Sequence, residues 1–219
     1  MTDEIEDLFD YSSLRQQSDA TMFMVTPAAR LLVLGGNQST SVLSPSGRMW
    51  PLRRRRGGGG VVELAPADLW VDFWIPRDDP RWHDDTRAAS GLVGQWWAAS
   101  LNTLVGVEAM VHEGGLEGEP ALRVACFAGR GPGEVFVNGR KAVGVTQWRV
   151  REGVYLSTVL RASNSSALVD LLDEPPPSLA GALDHHTTAS LGIEDVGALA
   201  TDLRDRSGPW RFHRFDLAV

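Results

Sequence analysis

The chain has 219 residues, 43% of them apolar, and a formal net charge of −7 at pH 7. That length buries a sizeable core without staples, and the acidic balance excludes a general nucleic-acid binder, which needs a basic surface against phosphates. The acidic opening (Asp3, Glu4, Glu6, Asp7, Asp10) is unlike a signal peptide, and no apolar run approaches a membrane span, so a soluble cytoplasmic protein is expected.

The first twenty residues read as a helix or a loosely held arm. Residues 22–26 and 31–34 read as short strands, the second broken by Gly35-Gly36-Asn37-Gln38. Residues 39–51, rich in Ser, Pro and Gly, read as a surface loop. Arg53, Arg54, Arg55 and Arg56 run as a strand end into Gly57, Gly58, Gly59 and Gly60. Residues 69–75 alternate, with Leu69, Val71, Phe73 and Ile75 on one face and Trp70, Asp72 and Trp74 on the other. The longest helical pattern is 85–104, where Leu92, Val93, Trp96, Trp97, Leu101 and Leu104 make a broad apolar side.

Strands are then expected at 107–112, 123–127, 135–137, 140–149 and 154–160. Helical patterns follow at 165–173, 178–185 and 193–206, with Pro175-Pro176-Pro177 as a stop. No internal repeat is present, and one domain is expected over residues 1–219.

Four glycines in a row remove every Cβ, so a ligand can lie against the backbone and its N–H groups. The four arginines alternate sides if extended, so two can face one pocket, where a guanidinium matches carboxylate or phosphate oxygens. A flexible loop after a solvated basic strand is the plainer reading of the same tract.

Asn138-Gly139 between two β-patterned runs predicts a two-residue hairpin turn, pairing Val137 with Arg140 and Phe136 with Lys141. Lys141 then shares a face with Val143, Val145 and Gln147. Its ammonium there must meet an anion or snorkel to water. A lysine held unpaired for chemistry should contribute little to stability.

Cys126, the one cysteine, excludes an intramolecular disulfide and a cysteine-built zinc site. It falls in a predicted strand, and free cysteine is among the most buried residue types. His185-His186 is not a metal motif, since adjacent side chains on a helix diverge; no metal site is expected.

Three segments resemble the lipoate–protein ligase family. Arg53-Arg54-Arg55-Arg56-Gly57-Gly58-Gly59-Gly60-Val61 is similar to the family's Arg-Arg-x-Ser-Gly-Gly-Gly-Ala-Val, which lines the lipoyl and adenylate pocket, and Gly35-Gly36-Asn37-Gln38 to its Gly-Arg-x-Gln turn. The stretch from Asn138 to Arg149 resembles Gly-x-Lys-(x)₂-Gly-x-x-Gln-x-Arg, with Lys141, Gly144 and Gln147 in the matching places. The chain departs from the pattern at Arg56, at Glu63 where a histidine usually follows the glycines, and at 156–160, where only Thr158 and Leu160 of His-Gly-Thr-Leu-Leu remain.

The resemblance implies an α+β fold like the biotin and lipoate ligase catalytic domain, a mostly antiparallel mixed sheet backed by helices, with no separate C-terminal accessory domain. It implies Lys141 as the catalytic residue beside the acyl carboxylate and α-phosphate. Arg53, Arg54, Gly57, Gly58, Gly59, Gly60, Gln38, Gly144 and Gln147 become the substrate-binding set. ATP with Mg, and lipoate or octanoate, become the ligands. The carrier partner becomes a lipoyl domain or a glycine-cleavage H-type protein, with no nucleic acid and no membrane. An apolar acyl chain makes Trp70, Trp74, Trp96 and Trp97 candidates for lining a tunnel. A related branch, the octanoyltransferases, forms a thioester on a cysteine, which makes Cys126 a candidate nucleophile in an ATP-independent acyltransferase. A non-catalytic homologue that binds an acyl or nucleotide ligand is the third reading.

Overall fold

The structure, a computed structural model, describes residues 5–218. A seven-stranded sheet forms the centre, built from β1 (Thr21–Pro27), β5 (Leu69–Pro76), β6 (Ala109–Val111), β7 (Val135–Val137), β8 (Arg140–Arg149), β9 (Gly153–Leu160) and β10 (Arg211–Leu217). Its order is β10-β1-β5-β9-β8-β7-β6, and β1 with β10 is the parallel pair in an otherwise antiparallel sheet. A smaller sheet in the order β3-β2-β4 comprises β2 (Leu31–Leu34), β3 (Leu52–Arg54) and β4 (Val62–Leu64). The fold is thus the mixed, mostly antiparallel α+β arrangement expected.

The alternation in β5 divides the core in two. Leu69, Val71, Phe73 and Ile75 pack with α2 (Thr86–Leu104) and α4 (Val196–Arg206) on one face of the large sheet. Trp70 and Trp74 pack on the other face against the small sheet and the N-terminal residues Leu8 and Tyr11. Helix α2 starts where Asp85 Oδ1 accepts from the backbone N–H groups of Arg87 and Ala88, at 2.7 and 2.8 Å, a capping arrangement that satisfies two otherwise orphaned donors. Its buried residues Ala89, Val93, Trp97 and Leu101 repeat at the helical period. Among the described residues, no helix is long and apolar enough to cross a membrane.

Several expectations are corrected. Residues 5–20 give one short helix, α1 (Tyr11–Arg15), and α3 (Leu179–Ala182) is a single turn. The pattern at 165–173 becomes a 3₁₀ helix, Ser166–Leu171. The strand expected at 123–127 is instead the end of a 3₁₀ helix, Pro120–Val124, followed by one bridge from Ala125 to Val61. Pro120 fits the first turn of a helix, and Phe127 takes a left-handed φ of 70°, so the chain bends before a ladder can extend. Strand β10, whose residues are largely exposed, lacks the apolar alternation that would have announced it.

Beneath Trp70 lies a buried carboxylate with no cation on it. Asp72 accepts from Trp70 Nε1 (2.7 Å), the Tyr155 hydroxyl (2.7 Å) and the Thr158 backbone N–H (3.1 Å). Burial still dominates and pushes its pKa from 3.8 up to about 7. Because the folded state holds this proton more tightly than the unfolded chain, the group favours folding fully below pH 4. That contribution is lost as pH rises from about 4 to about 7. Asp72→Asn is expected to flatten the stability profile over that range and to be the more stable protein at pH 8, by up to about 4 kcal/mol. Urea titrations of both proteins at pH 5 and pH 8 check it. A wild-type protein equally stable at both values contradicts it.

Candidate functional site

The chain leaves β3 at Arg54 and turns into the glycines, and this turn decides which arginine reaches the loop. Arg55 is the buried one. Its Nε and Nη2 donate to the Gly58 carbonyl at 3.1 and 2.9 Å, Nη2 also to the Gly60 carbonyl at 2.7 Å, and Nη1 to the Val33 carbonyl at 3.2 Å. The guanidinium therefore shapes the loop from behind, and burial lowers its pKa from the ordinary arginine value. Arg53 and Arg54 do not line the cavity described below. Arg53 turns to Glu6 and the Ala218 carbonyl. Arg54 Nη1 donates to the carbonyls of Gly35 and Gln38, fixing the preceding turn.

That turn is tied in at both ends. The Gly35 N–H donates to Gln38 Oε1 at 3.0 Å, and Gln38 Nε2 donates to the Val124 carbonyl at 2.9 Å, so Gln38 joins the turn to the segment carrying Cys126. A Cβ on Gly60 would stand 2.5 Å from the Arg123 carbonyl oxygen and 2.6 Å from Ala125 backbone atoms. A Cβ on Gly57 would stand 2.7 Å from Thr146 Oγ1. Gly58, by contrast, has open space at that position. Glycine is thus required at Gly60 by close approach to backbone, a side chain at Gly57 would have to displace Thr146, and Gly58 presents bare backbone.

The hairpin turn forms as its residues dictate, with φ of 48° at Asn138 and 78° at Gly139, and it pairs Phe136 with Lys141 and Val137 with Arg140. The register then shifts, because Val135 pairs with Val143 while Phe136 pairs with Lys141. This bulge at Ala142 breaks the alternation and puts Lys141 on the face opposite Val143. Ala142 and Val143 enter the helix-side core. Lys141 reaches Glu134, Nζ to Oε2 2.7 Å, in a pair whose side chains are 5% and 7% exposed. Glu134 Oε2 also accepts from the Gly131 N–H at 2.7 Å. The ammonium lies 5.4 Å from the Phe127 ring centroid. The lysine is therefore neither snorkelling nor unpaired.

A cavity of about 540 Å³ joins the two segments, with Gly58, Gly59 and Gly60 on one side and Glu134 and Lys141 on another. Cys126, half-buried, lines the same cavity, with its N–H held by the Val61 carbonyl at 2.8 Å. Gln147 lines it too, but its Nε2 donates to the Thr86 carbonyl and Ser90 Oγ of α2, both at 2.7 Å, so the amide anchors the helix start. Gly57 and Gly144 stand just outside. Gly144 borders a narrow apolar pouch of about 30 Å³ with Trp70, Val33, Val62 and Val159. Arg55, Cys126, Val145 and Thr146 line both spaces, so the pouch adjoins the cavity. Of the four tryptophans considered, Trp70 lines this pouch. Trp97 is in the helix-side core with Trp96 packed against it, and Trp74 Nε1 is held by the Gln17 carbonyl.

Glu63 and Thr158 lie off the cavity, while Ser157 and Val159 line the pouch. Glu63 is buried and pairs with Arg30. Thr158 Oγ1 accepts from Trp97 Nε1 at 2.9 Å within the core. Sequence reasoning missed Arg55 as the arginine of the loop and Glu134 as the partner of Lys141. The signal for Glu134 was available, since an acid at the start of the strand facing Lys141 in the hairpin is within reach of its ammonium.

No protein-family profile matches the chain, and no curated protein matches it by sequence. Solved structures do. A T. acidophilum protein assigned as a lipoate protein ligase, holding lipoic acid, superposes with a TM-score of 0.69 at 13% identity, over 94% of this chain and 81% of that one. Lipoate-protein ligase A bound with ATP gives 0.66 at 16% identity, over 90% and 75%. The bi-partite lipoate protein ligase of Thermoplasma acidophilum, studied with its E2 lipoyl domain, gives 0.64 at 14% identity, over 94% and 80%. At these identities the likeness is one of architecture: the chain has the fold of the lipoate–protein ligase catalytic domains of the biotin and lipoate ligase superfamily.

Proposed function

We propose that this protein transfers a lipoyl or octanoyl group to a lysine of a carrier protein through an acyl-adenylate. The observation that carries the reading is that Lys141 and Gly58, Gly59 and Gly60, far apart in sequence, line one cavity with an apolar pouch adjoining it. The acyl carboxylate attacks the α-phosphorus of ATP and pyrophosphate leaves. The carrier amine then attacks the acyl carbonyl and AMP leaves. Lys141 has three N–H donors; one meets Glu134, and two remain to hold the carboxylate and α-phosphate oxygens together. The same ammonium stabilises charge developing on the carbonyl oxygen. The bare glycine backbone lets the mixed anhydride lie close, and the carrier is a lipoyl domain or an H-type protein.

Among the described residues, no three His, Cys, Asp or Glu side chains gather into a metal cage. Under this reading magnesium would be held chiefly by ATP phosphates and water, with one or two carboxylates at most. Glu117, on the cavity wall, would be such a ligand.

Incubation with octanoate or lipoate and ATP, without carrier, should release pyrophosphate. No release would remove the ligase reading. Cys126, which faces the same cavity, supports a second reading in which its thiolate takes the acyl group from a thioester donor. Under the ligase reading Cys126→Ser keeps most of the activity. A hydroxylamine-sensitive acyl adduct on Cys126, formed without ATP and seen by intact-protein mass spectrometry, would replace it with the transferase.

A further inference from the structure

One wall of the apolar pouch comes from outside both sheets. Leu8, 2% exposed, lines the pouch together with Trp70 and Val62, and also a small neighbouring void bounded by Tyr11 and Tyr155. Its position is fixed by backbone. The Leu8 N–H donates to the Arg54 carbonyl at 2.7 Å, and the Arg54 N–H donates to the Glu6 carbonyl at 3.0 Å. The Asp7 carboxylate pairs with Arg56. Residues 6–8 therefore lie as a short parallel bridge along the arginine strand that leads into the glycine loop. With Leu8 in place the pouch holds about 30 Å³, room for one or two waters, against about 540 Å³ in the adjoining cavity.

We propose that Leu8 sets the acyl-chain length this site accepts, acting as the plug at the end of the pouch; the inference rests on the acyl-transfer reading above. A chain whose carboxyl group lies at Lys141 gains affinity for each methylene it buries, about fourfold per carbon. The gain stops where the chain end meets Leu8, because close-packed interiors do not yield a methylene's volume without strain. Shortening the plug lengthens the pouch by the atoms removed.

The test is calorimetric titration of the protein with straight-chain carboxylates from butanoate to decanoate. Wild type should show affinity climbing about fourfold per carbon and then levelling at a definite length. In Leu8→Ala the climb should continue for about two or three carbons more, the number of side-chain carbons deleted. Leu8 belongs to the core, so Leu8→Val, which removes one methylene, serves as the milder variant. It should move the break by about one carbon. A break at the same length in wild type and both variants overturns the plug while leaving the acyl pouch standing. No chain-length dependence in wild type removes the acyl reading itself, and the plug with it.

Discussion

Replacing Lys141 by alanine is expected to abolish acyl transfer and also to lower the stability of the fold by about 3 kcal/mol or more. The second effect reverses what an unpaired lysine would give. Lys141 Nζ stands 2.7 Å from Glu134 Oε2, with both side chains almost fully buried. Removing the ammonium leaves the Glu134 carboxylate in a desolvated site with the Gly131 N–H as its remaining donor. A stranded buried charge is among the few mechanisms that give losses this large. The pair need not add much net stability over an apolar replacement, but breaking it from one side does remove stability. The double variant Lys141→Ala with Glu134→Gln should therefore recover most of the lost stability, because the stranded charge is gone, and none of the activity. Urea denaturation of the three variants with pyrophosphate release on each separates the two roles. Full stability in Lys141→Ala would mean that the pair is solvated, and retained turnover would end the lysine's place in the chemistry.

How far the sequence carried this site can be argued from the same hairpin. Asn138-Gly139 is legible because two successive left-handed positions admit few residues, and the turn fixes the pairs nearest to it. The bulge at Ala142 is not legible, since nothing in Lys141-Ala142-Val143 distinguishes a bulge from plain alternation. Yet that one residue decides whether the lysine faces valines or the cavity. The arginines pose the same parity problem. Alternation says that two of four share a side, but which one enters the loop depends on where β3 ends, and strand ends are set by pairing with β2 and by tertiary contact. The segment around Cys126 misled for a different reason. Val124, Cys126 and Phe127 favour strands, while Gly60 packs so close to the Arg123 carbonyl that only a bent chain fits.

The glycine loop yields the other large effect, through a residue outside it. A Cβ on Gly35 would overlap the Gly59 carbonyl oxygen, a backbone atom that no side-chain rotation can move away, and would stand 3.5 Å from Arg55 Nη2. Accommodating that methyl means parting the turn that follows β2 from the loop. The loop cannot retreat without breaking the bonds from Arg55 to the Gly58 and Gly60 carbonyls. Nor can the turn shift without breaking the Gly35 N–H bond to Gln38 Oε1, and through Gln38 the tie to Val124. Overpacking of this kind usually removes about 1–3 kcal/mol. With the hydrogen bonds of a buried guanidinium also disturbed, Gly35→Ala should sit at about 3 kcal/mol and lose acyl-chain binding. Gly58→Ala is the matched comparison. A methyl there meets nothing within 4 Å, so its stability should stay within about 0.5 kcal/mol of wild type. Parallel urea denaturation of the two variants, followed by octanoate titration of each, makes the test. Gly35→Ala as stable as Gly58→Ala would show that the turn and the loop are not the rigid wall described here.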